Sequence, residues 1–142
     1  MHSLLILAVA LLLTSCSTEK PSTDYGGLAT YSVDGHLQMV VEIPAGTNKK
    51  FEYDYESRTF PADIKNSYER VINFLPYPGN YGFIPSTKMD RVRGGDGDAL
   101  DVLLLSEHLP TGTIVEFLPI GIIVLQDTGE NDSKIIAVPI DK

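Results

Sequence analysis

From His36 onward the apolar residues come in short runs cut by Pro, Gly and Asp. LQMVVEIP (37–44), NYGFIP (80–85), ALDVLLL (99–105) and KIIAVPI (134–140) are each the length of one strand. TIVEFLPIGIIVLQD (113–127) is a longer run that contains Pro119, where a break is expected. KKFEYDY (49–55) alternates aromatic with charged residues, the period-2 pattern of a half-buried strand. One stretch reads differently. In ADIKNSYERVINF (62–74), Ile64, Tyr68, Val71 and Ile72 fall roughly on one face of a helix, so one short helix is expected there. Many short strands with little helix predict a mainly β domain, a small barrel or sandwich, over residues 36–142.

The 142-residue length suits one domain with a real core. The net charge of -8 argues against a nucleic-acid partner, which calls for a basic face. It also means that an anionic ligand would need cations between itself and the protein. The single cysteine, Cys16, excludes an intramolecular disulfide within this sequence and any multi-cysteine metal site. Residues 4–13, LLILAVALLL, are too short to span a bilayer, which takes roughly 20 residues, and match the apolar core of a secretory signal. LTSC follows at 13–16. A Leu, small residues and then Cys resemble a bacterial lipoprotein signal, although no Lys or Arg precedes the apolar run. On that reading residues 1–15 are a signal peptide, Cys16 carries the lipid, and 16–35 form a polar linker to an extracytoplasmic domain. An ordinary cytoplasmic location is the alternative.

Two acidic stretches carry the candidate chemistry. GGDGDALDV (94–102) places Asp96, Asp98 and Asp101 among glycines that let the backbone bend. It fails the calcium EF-hand pattern, because Leu100 and Asp101 stand at the fifth and sixth positions. Alone it is either a solvated turn or a loop that gathers hard cations. LQDTGENDSK (125–134) adds Asp127, Glu130, Asp132 and Lys134 between two strands. Both stretches lie at strand ends, where one mouth of a barrel would gather them. Lys49, Lys50, Arg70, Tyr81 and Lys134 are candidate anion contacts. His36 and His108 have no partner spacing and read as surface residues.

VVEIPAGTNKKFEYD, NYGFIP, GGDGDALDVLLL and IGIIVLQDTGENDSKIIAVP, in this order, resemble the soluble inorganic pyrophosphatases of family I. The resemblance implies an OB-like β-barrel and Mg²⁺-dependent hydrolysis of pyrophosphate to two phosphates, with Mn²⁺ as a possible substitute. Carried over by motif, Asp98 resembles the general base. Asp96, Asp101, Asp127 and Asp132 resemble metal ligands, and Glu42 and Glu52 line the metal site. Lys50, Tyr81, Lys134 and Arg70 resemble phosphate contacts, with Arg58 as the other candidate for the arginine. Two departures are visible. Ala99 follows the second aspartate where the family usually has Pro or Glu, and Phe51 replaces a common Tyr. Family members continue past the position of Lys142 into a Tyr-Lys pair and a long helix that packs on the barrel and joins oligomer contacts. The resemblance therefore implies an incomplete domain with apolar barrel surface left open. A non-catalytic, lipid-anchored protein that binds metal or phosphate on the same fold is the competing reading.

Overall fold

A computed structural model describes residues 22–140. The apolar run at 4–13 and Cys16 lie outside the described residues. The chain forms β1 (Gln38–Ile43), β2 (Ile64–Lys65), β3 (Tyr68–Glu69), β4 (Asn80–Phe83), β5 (Asp101–Leu104), β6 (Ile114–Ile123), β7 (Gln126–Asp127), β8 (Glu130–Asn131) and β9 (Lys134–Pro139). Five of them close a barrel in the order β1-β4-β5-β9-β6, the OB-like barrel that the family resemblance implies. Among the described barrel pairings, β5–β9 is parallel and the others are antiparallel. Closure removes most free sheet edges, the recurrent liability of small β proteins.

The core follows from the apolar runs. Met39, Val41, Ile84, Val102, Leu104, Phe117 and Ala137 are buried together, from β1, β5, β6 and β9 and the residue just after β4. A second cluster, Val40, Tyr53 and Phe83, lies on the other side of β1. Because β1 packs on both faces, Met39 to Ile43 are all fully buried apart from Glu42, and the strand shows no alternation.

Three expectations are corrected. Residues 62–74 form no helix; they make the β2–β3 hairpin, with Asn66 and Ser67 both in the left-handed region at its turn (φ 54° and 68°). The supposed helical face has no core to meet, because Ile64 and Tyr68 are 60% and 78% exposed. The 49–55 stretch alternates as expected, yet it pairs only through isolated bridges, Lys49 with Val71, Phe51 with Ala62 and Asp54 with Thr59. Pro119 does not break the long run. β6 passes through it, with a register irregularity between Pro119 and Gly121 that absorbs the missing N–H. Leu118, Ile120 and Ile122 of this half of β6 are exposed.

The described part of the expected linker, residues 22–35, is bound to the barrel rather than free of it. Tyr25 packs edge-on against Tyr53 and also against Phe60. The Thr30 hydroxyl donates to the Pro85 carbonyl, the Ser86 hydroxyl to Leu28, and the Gln38 amide to Ala29. Composition reads this segment as polar, but Tyr25 and Leu28 give it apolar anchors on the second cluster.

Candidate active site

A cavity of about 920 Å³ opens at one end of the barrel. The eleven site residues carried over by motif all line it: Glu42, Lys50, Glu52, Arg70, Tyr81, Asp96, Asp98, Asp101, Asp127, Asp132 and Lys134. Lys49, the other candidate anion contact, does not; its ammonium pairs with Glu69 at 2.7 Å. Arg58 does not line it and pairs instead with Asp24 at 3.6 Å. The histidines also stand elsewhere: His36 faces Glu116 at 3.3 Å, and His108 Nδ1 lies 3.2 Å from the Ala45 carbonyl.

Local structure explains how each carboxylate arrives. The β1–β4 register shifts between Val41 and Ile43, so Glu42 sits in a bulge. Bulges re-aim side chains beside sites, and Glu42 turns into the cavity, where its Oε1 accepts the Tyr53 backbone N–H at 2.7 Å. In the acidic loop, Asp96 Oδ1 accepts the Asp98 N–H at 2.9 Å across Gly97, whose φ of 90° a side chain would disfavour. Asp101 opens β5 opposite Lys134 at the start of β9. Asp127 ends β7, and the tight turn that follows uses Thr128 and Gly129 in the left-handed region.

The cationic side chains are placed by the β2–β3 hairpin and by β9. The Lys50 N–H donates to the Arg70 carbonyl at 3.1 Å, and the Asp63 N–H donates to the Lys50 carbonyl at 2.9 Å. Asp63 then holds the Arg70 guanidinium at 3.2 Å and the Lys50 ammonium at 3.8 Å, while Lys50 also pairs with Glu52. The Lys134 ammonium bonds both Asp101 and Asp132 and lies 5.7 Å over the Tyr81 ring. Tyr81 follows Asn80, which is fully buried and fully bonded. Its Oδ1 accepts the Ala45 and Leu109 N–H groups at 2.9 Å each, and its Nδ2 donates to Ser106 and to the Glu107 carbonyl.

Eight carboxylates and four cationic side chains line the cavity, which leaves it strongly negative. Proton affinities respond accordingly. Burial, against the Tyr53 hydrogen bond and with Asp101 and Glu52 adding to it, raises Glu42 to about 8. Burial and then Asp96 push Asp98 above the usual carboxylate range. Burial raises Asp101 too, although Lys134 and Tyr81 oppose it through hydrogen bonds. Burial also raises the Tyr81 phenol, helped by Asp101. Burial works against the Lys134 charge, but Asp101 and Asp132 outweigh it and hold the ammonium above its ordinary range.

The donor set fits hard divalent cations: every candidate ligand is a carboxylate oxygen. One cation can bridge two of them, as the Lys134 ammonium does between Asp101 and Asp132. Among the described residues no three such groups converge into a closed protein cage.

Sequence reasoning missed Tyr77, Lys88 and Tyr55 on the cavity wall. Tyr77 precedes Tyr81 by four residues, and their rings lie 5.5 Å apart, so the YPGNY spacing carried a usable signal. Lys88 and Tyr55 stand in loops where nothing in the local pattern points inward.

The sequence profile of the family described as Inorganic pyrophosphatase matches residues 39–142. The inorganic pyrophosphatase of Sulfolobus acidocaldarius is 43% identical over 108 residues, covering 75% of this chain and 56% of the relative. That of Neisseria meningitidis serogroup A is 45% identical over 116 residues, covering 80% and 60%. Among solved structures, an inorganic pyrophosphatase from Neisseria gonorrhoeae matches with a TM-score of 0.64 at 40% identity, over 81% of this chain and 62% of that one. The inorganic pyrophosphatase from Thermus thermophilus matches with a TM-score of 0.70 at 32% identity, over 84% and 64%. The chain thus spans only 56% and 60% of the length of these two curated relatives.

Proposed function

Because this chain belongs to the inorganic pyrophosphatase family, we propose that it hydrolyses pyrophosphate to two phosphates with the help of Mg²⁺, or of Mn²⁺ in its place. The single observation that carries the proposal is the cavity itself. Six carboxylates suited to cations, a seventh with raised proton affinity, and the side chains of Lys50, Arg70, Lys134 and Tyr81 share its wall.

Glu42, Glu52, Asp96, Asp101, Asp127 and Asp132 would hold the cations. When bound, divalent cations neutralise the phosphates and lower the pKa of the attacking water. Asp98 takes the proton of that water on its carboxylate as the oxygen attacks phosphorus; its raised proton affinity suits a base. Lys50, Arg70 and Tyr81 orient the phosphate oxygens, and Lys134 stabilises the charge on the departing phosphate. The bridging P–O bond breaks, and the proton held by Asp98 returns to product phosphate. Phosphate release from pyrophosphate by the purified full chain tests this reading. Release with Mg²⁺ that stops on chelation is expected; a folded protein that releases none would leave only the binding role.

The location is a separate part of the proposal. The apolar run at 4–13 followed by LTSC supports a lipid on Cys16 and an extracytoplasmic domain held at the membrane. Membrane partitioning in cells should then be lost in Cys16→Ala; a variant that still sediments with membranes would refute lipidation as the anchor.

A further inference from the structure

The two acidic loops meet on the barrel side at Asp101 and Lys134, but Asp127 has no such tie. It sits on the β7–β8 hairpin, two residues per strand, and a hairpin that small is marginal on its own. What holds it is the connection between β4 and β5. There the Met89 N–H donates to the Asp98 carbonyl at 2.7 Å and closes the neck of an excursion. Its tip is rigid. Asp90 accepts the Val92 N–H on its side chain, and its carbonyl accepts the Arg93 and Gly95 N–H groups. Gly94 then turns in the left-handed region, φ 84°, and its carbonyl accepts the Asn131 N–H of β8 at 2.6 Å. Gly95 bridges to Asn131 in parallel. Arg91 adds a second link: its guanidinium passes over Gly97, where any Cβ would collide with it, and reaches Glu130 at 4.0 Å.

We propose that the turn at residues 90–95 is a clamp that fixes the β7–β8 hairpin, and with it Asp127, relative to the acidic loop, and that Arg91 is a positioning residue of this clamp. The inference rests on the reading of the cavity as a cation-dependent site. Arg91 touches no proposed ligand through an ion pair; it acts by spanning from Gly97, between Asp96 and Asp98, to Glu130, between Asp127 and Asp132.

The sign of one effect separates a clamp from a bystander charge. Deleting a cation beside carboxylates would, by charge alone, tighten Mg²⁺ binding. Loss of a clamp weakens it. Calorimetric titration of the full chain with Mg²⁺, without substrate, should give Arg91→Ala a dissociation constant about three- to fivefold higher, the scale of one exposed ion pair. Arg91→Lys, which keeps a charge toward Glu130, should recover part of that loss. Glu130→Gln should weaken binding similarly and add little in combination with Arg91→Ala. In turnover, the half-saturating Mg²⁺ concentration should rise by the same factor in Arg91→Ala, while kcat at saturating Mg²⁺ falls less than about twofold. Unchanged or tighter Mg²⁺ binding in Arg91→Ala overturns the clamp. Wild-type protein that binds Mg²⁺ but releases no phosphate overturns the proposed activity and leaves the clamp to stand or fall on the binding data.

Discussion

Glu42 concentrates the electrostatic problem of the site in one residue. It is 8% exposed, carries its raised proton affinity because of burial, and faces Asp101 and Glu52. A carboxyl raised in the folded state contributes stability that is full below its unfolded pKa and lost as pH rises through the folded value. Metal-free protein should therefore lose stability from about pH 4.5 up to about pH 8. Asp98 and Asp101, also raised, act in the same direction. Glu42→Gln keeps the acceptor for the Tyr53 N–H and removes the titration, so thermal midpoints in chelator should depend less on pH; an unchanged slope would show that Glu42 is not its source. Asp98 poses a different question, because it is proposed to move a proton rather than hold a cation. Asp98→Asn should lower kcat by about 100-fold or more while the calorimetric Mg²⁺ affinity stays within a factor of a few, and full activity in that variant would remove Asp98 as the base. The aspartates of GGDGDALDV and LQDTGENDSK were legible in the sequence because their spacing is tight and their neighbours are turn-formers. Glu42 was legible only through the family resemblance: a lone Glu in an apolar strand gives no hint of a bulge, which depends on the β4 partner.

That bulge is a property of two elements. β4 contributes Gly82, paired with Val41 on one side and Val102 on the other. A Cβ there would strike the Val40 carbonyl and crowd the Glu42 N–H, both of them backbone. Gly82→Ala should thus cost about 2–4 kcal/mol and shift the denaturant midpoint; because it displaces β1 at Glu42, Mg²⁺ affinity should fall with it. A variant as stable as the parent would mean that β1 and β4 can separate without loss. The strands themselves were readable because runs such as KIIAVPI have the right length and β-branched content. The 62–74 segment was not, since a hairpin with exposed Ile64 and Tyr68 leaves the same apolar spacing as a helix. What decides it is tertiary: the Lys50, Asp63 and Arg70 backbones bond one another, which a helix there would prevent. The strand over Pro119 is hidden from the sequence for a similar reason, because an irregularity in the β9 pairing accommodates the proline.

At the scale of the whole molecule, charge is the governing quantity. The chain carries a net -8, and the candidate-site cavity holds twice as many carboxylates as cationic side chains. The barrel was legible as a class from strand lengths, but its closure and the parallel β5–β9 pair are long-range facts that no local pattern encodes. Closure brings the two acidic loops to one mouth, and self-repulsion there opposes folding until counter-charge arrives. Mg²⁺ that binds the folded chain and not the unfolded one must stabilise it by mass action. The increment should be larger near pH 8 than near pH 5, because at low pH Glu42 and its neighbours are already partly neutralised by protons. A few millimolar Mg²⁺ at the higher pH should raise the thermal midpoint by about 5 °C or more. NaCl at matched ionic strength should reproduce little of this, since screening weakens repulsion among exposed charges but does little for buried ones. Equal shifts with NaCl and Mg²⁺ would mean that the cavity senses only ionic strength, and the case for bound cations at Glu42, Asp101 and their neighbours would fail.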